Sequence, residues 1–274
     1  MTIHGHRGCR GLRTENSIDS CTHAFAAGAE YIEIDIVVTS DHKLLVSHDP
    51  WMNAVLCSYP DGSIIRPEEE KDINIYMMTL SEAQQFRIGD RPEPRFPFQQ
   101  TNPGAKPALK EVMDCISQLT LPDHHPRGLN IEIKSREGWD GLYHPAPDVY
   151  VDLLLNELES YGYSGKIILQ SFDPRILIEL QRRNAPYPLV FLTETEPDPE
   201  KVMDLFNFSP WGIGVHHGLI TRDYLVACRE RGVELLAWTV NEEHDIMEMM
   251  KLGVRHLITD YPDRAARCRS LFFH

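Results

Sequence analysis

Tyr31-Ile32-Glu33-Ile34-Asp35-Ile36-Val37-Val38 is the stretch on which the fold turns. It is rich in β-branched residues and reads as a strand. Alternate strand residues face the same side, so Glu33 and Asp35 point the same way. Around it, short apolar runs alternate with longer amphipathic segments. Further strands are predicted at 3–6, 44–48, 128–134, 166–172, 188–193, 212–217, 234–240 and His256–Thr259. Helices are predicted at 18–27, 148–161, 174–183, 199–206, 222–231 and 242–252, the second with Val149, Leu153, Leu154 and Leu158 on one face. Asp173-Pro174 and Asp198-Pro199 read as an N-cap followed by proline at the first helical position, and Asn241 precedes Glu242-Glu243 as another start. Gly162, Gly232 and Gly253 read as stops.

Strand and helix repeated at one period imply a parallel sheet. Counting 44–48 as a hairpin continuation of the second strand leaves eight units. The expected fold is therefore α/β, a (β/α)8 TIM barrel in a single domain over residues 1–274. A doubly wound open sheet competes, but no Gly-x-Gly-x-x-Gly follows the first strand. Residues 50–106 break the rhythm with many prolines and the charge run Glu68-Glu69-Glu70-Lys71-Asp72. They read as a small insertion after the second strand. Its Trp51, Tyr59, Tyr76, Met77, Phe96 and Phe98 are expected to pack a core of its own.

Composition narrows the function. The chain has 274 residues, 42% of them hydrophobic, and a formal net charge of -14. So acidic a chain should repel nucleic-acid backbones and anionic membrane surfaces. A phosphate ligand would then need a local cluster of positive charge. No apolar run approaches the roughly 18 residues of a transmembrane helix. The start lacks a basic and then apolar leader, so the expected location is cytoplasmic, or periplasmic or secreted if a signal peptide has been removed. Six scattered cysteines without a C-x-x-C pair read as free core thiols, Cys9 among them.

Barrel chemistry collects at the C-terminal ends of the strands. These ends carry His6-Arg7-Gly8, Glu33 and Asp35, Ser47-His48-Asp49, Glu132-Ile133-Lys134, Gln170-Ser171-Phe172, His216-His217 and Trp238-Thr239. Buried anions need neutralising. Three carboxylates, Glu33, Asp35 and Glu132, with water would suit one divalent cation, Mg²⁺ or Ca²⁺. The competing reading is ion pairing with Arg7 and Lys134. His6 and His48 are candidate acid and base, and Arg7 and Lys134 are the local positive cluster. Alternation lets only one of His216 and His217 face inward. Trp238, at a strand end, is expected to line the pocket.

The ordered set His6-Arg7-Gly8, Glu15-Asn16-Ser17, Glu33-Ile34-Asp35, His48-Asp49, Glu132-Ile133-Lys134, Ser171-Phe172, Trp238-Thr239-Val240-Asn241 and Thr259-Asp260-Tyr261-Pro262 resembles the glycerophosphodiester phosphodiesterase family across nearly the whole chain. The resemblance implies metal-dependent hydrolysis of a small-molecule glycerophosphodiester to sn-glycerol 3-phosphate and an alcohol. It implies Glu33, Asp35 and Glu132 as metal ligands, His6 and His48 as catalytic acid and base, and Arg7 and Lys134 on the phosphate. Glu15 would support the site, and Phe172 and Trp238 would line the glycerol or alcohol pocket. Thr14, Ser17 and Asp41-His42 depart from the family pattern, where Pro, Thr and Asp-Gly are usual; none is a proposed catalytic group. The alternatives are a phospholipase D-like or lysophospholipase D activity on lysophospholipids, and a non-catalytic phosphodiester-binding barrel.

Overall fold

The computed structural model describes residues 1–119, 127–196 and 198–272; residues 120–126, 197 and 273–274 of the expected domain lie outside the described residues. The chain runs β1 (Thr2–Gly5), α1 (Ile18–Ala26), β2 (Tyr31–Val38) and β3 (Leu44–Val46). The insertion follows, with β4 (Cys57–Ser58), α2 (Leu80–Ala83) and β5 (Arg87–Ile88). Then come α3 (Leu109–Ser117), β6 (Gly128–Ile133), α4 (Pro147–Tyr161), β7 (Ile167–Ser171), α5 (Pro174–Arg182), β8 (Leu189–Thr193) and α6 (Pro199–Met203). The chain closes with β9 (Gly212–His216), α7 (Arg222–Glu230), β10 (Glu234–Trp238), α8 (Glu243–Leu252), β11 (His256–Thr259) and α9 (Pro262–Phe272).

Strands β1, β2 and β6 to β11 are all parallel, and β1 pairs with both β11 and β2, so the sheet closes into the expected (β/α)8 barrel. The hairpin strand β3 continues β2 antiparallel, with Ile36 opposite Val46. The two faces of the barrel strands differ. Ile32, Ile34 and Ile36 join the shell core with residues of the surrounding helices. Tyr31, Ile168, Val190, Leu192, Leu236 and Ile258 form a separate cluster of the opposite parity, the barrel interior. Glu33 and Asp35 share the parity of Tyr31, so the strand that decides the fold also delivers two acids to the mouth.

Helix punctuation follows the predicted chemistry. Asp173 and Asp198 each accept a backbone N–H of the helix they cap, with proline next, and Gly162 and Gly253 end their helices in the left-handed conformation. Several expectations need correction. Helix α4 buries Tyr150, Val151, Leu154 and Leu158, leaving Val149 exposed. Tyr150 turns the face because its hydroxyl donates to the Ile36 carbonyl at 2.6 Å. Asn241 does not cap α8, whose cap is Glu242; its amide is bound to Asp260 instead. Helices α3 and α9 were not anticipated. The insertion core is mostly aliphatic, built on Met52, Ile65, Ile75 and Ile88. Tyr59 joins it, but Trp51 meets Trp139 and Tyr143 edge to face, Phe96 meets Tyr261, and Met77 and Phe98 are exposed. All six cysteines are free. Among the described residues, no helix is long and apolar enough to cross a membrane.

Candidate active site

The site is assembled first by a tight turn after β1. Arg7 sits at φ 49° and Gly8 at φ 84°. A Cβ on Gly8 would lie 2.4 Å from the Ser20 hydroxyl, so only glycine fits this left-handed position. The turn aims the Arg7 backbone N–H at Glu33 Oε2, 2.9 Å away. The next segment contributes three contacts. Glu15 takes the Arg7 guanidinium at 2.9 and 3.0 Å. Asn16 clamps Asp35, donating to Oδ2 at 2.8 Å and accepting the Asp35 N–H at 3.3 Å. Ser17 caps α1 through Ser20 N–H, so the family's hydroxyl function survives the change from Thr.

Strand register then gathers the acids. Asp35 lies opposite Glu132 in the β2–β6 ladder. Glu33, Asp35 and Glu132 are all buried, and each offers an oxygen within 4.8 Å of the others. Lys134 reaches Glu132 at 2.6 Å and Asp35 at 3.6 Å, while Arg7 Nε lies 3.4 Å from Asp35. Ion pairing and metal binding are therefore not exclusive here, because the cations satisfy only part of the trio. Burial opposes ionisation of Asp35, but Lys134 and Arg7 hold its carboxyl well below the usual range. Burial, then Asp35 and Glu132, push Glu33 well above that range; burial also raises Glu132, with Lys134 opposing. Lys134 divides its charge between Glu132 and Asp35, so two of the three carboxyls have less positive charge beside them than would keep them ionised. Hard, clustered and under-neutralised oxygens are a donor set that fits a divalent cation.

Each histidine carries its own carboxylate. His6 Nδ1 lies 2.7 Å from Asp260 Oδ1, and His48 Nδ1 lies 3.0 Å from Asp49 Oδ1. A carboxylate only accepts, so Nδ1 carries a proton in both rings and Nε2 is the nitrogen left to the cleft. His6 Nε2 is 3.9 Å from Glu33 Oε2. Burial, with help from Arg10, lowers His6 to about 4 against the pull of Asp260. Asp260 also receives Arg10 Nε and Asn241 Nδ2, each at 2.7 Å. Burial opposes ionisation of Asp49, but the His48 hydrogen bond holds its carboxyl at about 2.

His6, Arg7, Glu15, Glu33, His48, Glu132, Lys134, Phe172 and Trp238 all line one cleft of about 1150 Å³, with Asp35 buried beneath them. Phe172 and Trp238 meet edge to face at 5.5 Å on its wall. Neither His216 nor His217 lines the cleft; His216 packs its ring against Trp238 from outside at 5.8 Å. Cys9 is buried packing. Sequence reasoning left Asp260, Asp49, Asn16, Asn241 and Gln170 without site roles. Barrel closure was the available signal for Asp260, because the residue after β11 must face the residue after β1; Gly5 pairs with Thr259.

Comparison with known proteins fits this geometry. The model of the glycerophosphoryl diester phosphodiesterase family matches residues 6–264. A glycerophosphodiester phosphodiesterase of Bacillus altitudinis is 24% identical, covering 97% of both chains. A Silicibacter pomeroyi structure bearing the family's name is 26% identical with a TM-score of 0.87, over 100% of this chain and 94% of that one. An Oleispira antarctica phosphodiesterase solved with its product sn-glycerol-3-phosphate is 20% identical and shares the fold, at a TM-score of 0.77 over 98% and 97% of the two chains. With the family model spanning almost the whole barrel and every strand end in place, this chain belongs to the glycerophosphoryl diester phosphodiesterase family and is a phosphodiesterase of that class.

Proposed function

We propose that this enzyme hydrolyses glycerophosphodiesters to sn-glycerol 3-phosphate and an alcohol, with His6 and His48 as acid and base and a divalent cation, Mg²⁺ or Ca²⁺, at Glu33, Asp35 and Glu132. The observation that carries the reading is the pairing of two His–carboxylate dyads with one buried acidic trio in a single cleft. The product bound by the Oleispira relative supports the glycerol phosphate half of the substrate. A bound cation would add positive charge beside the phosphoryl oxygens. Arg7 and Lys134 hold the phosphate from the protein side, Glu15 fixes the Arg7 fork, and Phe172 with Trp238 shape an apolar wall for the organic part. Asp260 and Asp49 fix each ring with Nε2 turned to the cleft. One ring enters with Nε2 unprotonated and accepts the proton of the attacking glycerol 2-hydroxyl; the other enters as the imidazolium and delivers its Nε2 proton to the leaving alkoxide, after which water opens the cyclic phosphate.

The deciding experiment is a metal-stripped assay on glycerophosphocholine with Mg²⁺, Ca²⁺ and Mn²⁺ restored in turn, identifying sn-glycerol 3-phosphate as product. Lysophosphatidylcholine run in parallel tests the lysophospholipase D reading. Glu132→Gln is expected to lose most cation-dependent turnover with an unchanged circular dichroism spectrum; near wild-type turnover would remove Glu132 from the ligand set. No turnover with any cation would favour a binding barrel. A p-nitrophenyl leaving group assigns the histidines, since it departs without a proton. The variant lacking the acid should recover kcat on that substrate, and the variant lacking the base should not.

A further inference from the structure

A polar thread crosses the apolar interior of the barrel beneath the acidic trio. Gln170 on β7 is buried and donates from Nε2 to Glu33 Oε1 at 3.2 Å. Its own Oε1 accepts from Asn130 Nδ2 on β6 at 3.0 Å. The same Asn130 Nδ2 faces His4 Nδ1 on β1 at 3.5 Å, and His4 Nε2 lies 3.1 Å from His256 Nδ1 on β11. Around this thread the interior is apolar: Ile168, Val190, Leu192, Leu236 and Ile258, with Tyr31 stacked on His4 at 4.6 Å.

The thread has one orientation. A carboxylate only accepts, so Gln170 turns Nε2 to Glu33 and Oε1 to Asn130, and the Asn130 amide turns its NH₂ toward that oxygen. Asn130 Oδ1 is then buried with no hydrogen-bond partner among the described residues, a cost that the fixed Asn130–Gln170 bond must outweigh. The fixed Asn130 donor in turn holds Gln170 Oε1 and so commits Gln170 Nε2 to Glu33. The carboxylate is thereby gripped from two sides, by the Arg7 backbone N–H on Oε2 and the Gln170 amide on Oε1. Those two donors fix the carboxylate plane and leave its remaining lone pairs to the site shared with Asp35 and Glu132.

We propose that Gln170 is a positioning residue for cation binding, orienting Glu33, and that Asn130 acts on the same function through Gln170. This rests on the metal site argued above. Partners that hold a ligand in place typically govern metal affinity by about 10- to 100-fold.

The test is isothermal titration of Mn²⁺ and Mg²⁺ into metal-stripped wild type, Gln170→Leu, Asn130→Leu and the double variant. Gln170→Leu should weaken binding about 10- to 100-fold, and the cation concentration that gives half-maximal turnover should rise by the same factor. Asn130→Leu should weaken it too, yet add less than about twofold on the Gln170→Leu background, because the two act in series. The double variant removes both amides together, so neither is left buried without the other, and it keeps the test available if a single variant folds poorly. Wild-type binding with unaltered affinity in Gln170→Leu and the double variant would overturn the positioning role alone. A wild type that takes up no cation would overturn the metal site and this role together. Full additivity of the two substitutions would overturn the series connection through Asn130.

Discussion

At the scale of single residues, the site is defined by what each histidine is tied to. His48 and Asp49 are neighbours in sequence and partners in space, and Asn53 holds the far oxygen of Asp49 at 2.8 Å. Asp49→Asn keeps the volume and the Asn53 contact but removes the obligatory acceptor that fixes the ring with Nε2 turned to the cleft. The expected outcome is a fall in kcat of about 10²- to 10⁴-fold, with KM and the melting temperature close to wild type. Steady-state kinetics and a thermal melt read both; an unchanged kcat would take Asp49 out of the proton path. His6 and Asp260 form the equivalent pair, but Asp260 also anchors Arg10, so its replacement would mix catalysis with stability. Residue identity made His6, His48 and the acidic trio legible, because each sits at a strand end with little else to do there. Gln170 and Asn130 were not legible, because a polar residue within an apolar strand says nothing of its partner until the barrel closes around it.

At the scale of elements, the β2–β3 hairpin carries a departure from the family pattern. His42 sits at φ 58° where glycine is usual. The turn is held by Thr39, whose carbonyl accepts the His42 N–H and whose hydroxyl donates to Asp41. A left-handed L-residue costs about 1–2 kcal/mol, and glycine returns about 0.5–1 of that through unfolded-state entropy. His42→Gly should therefore stabilise the fold by about 0.5–1 kcal/mol. Its kcat should not change, since His42 does not line the cleft. Urea midpoints compare the two proteins, and a destabilised variant would contradict the strain argument. Elements were legible where local chemistry marks their ends: Asp-Pro starts and glycine stops settled α5, α6 and α8 within a few residues. Helix α3 is capped by Ala108, whose side chain makes no capping hydrogen bond, just after the irregular insertion, and left no comparable signal. The insertion aromatics misled because Trp51 and Phe96 serve its boundary with the barrel instead of its interior.

At the scale of the whole molecule, the barrel interior sets how stability responds to pH. His4 and His256 share one hydrogen bond across the β1–β11 seam, and the ring that accepts cannot gain a proton without losing it. Burial, aided by Arg255 and the N-terminal amine, lowers His256 to about 4; burial and then His256 hold His4 well below its ordinary value. Unfolded, each titrates near 6.5. Between about 4 and 6.5 the unfolded chain therefore binds protons that the folded chain refuses. The histidine contribution is complete above 6.5 and is lost as pH falls toward 4, by at most about 1.4 kcal/mol per pH unit for each group. Glu33 and Glu132 act with the opposite sign in this window, because their folded carboxyls are raised and bind protons that the unfolded chain releases. Asp49, held at about 2, has its effect below that window. The wild-type slope is thus a difference between two sets, and a substitution isolates one of them. His256→Gln keeps an acceptor for His4 but cannot take a proton. Its stability relative to wild type should improve steadily as pH is lowered from 6.5 to 4.5, measured by urea unfolding at half-unit steps. A stability difference that stays constant with pH would mean that His256 is not the buried neutral group the barrel seam requires.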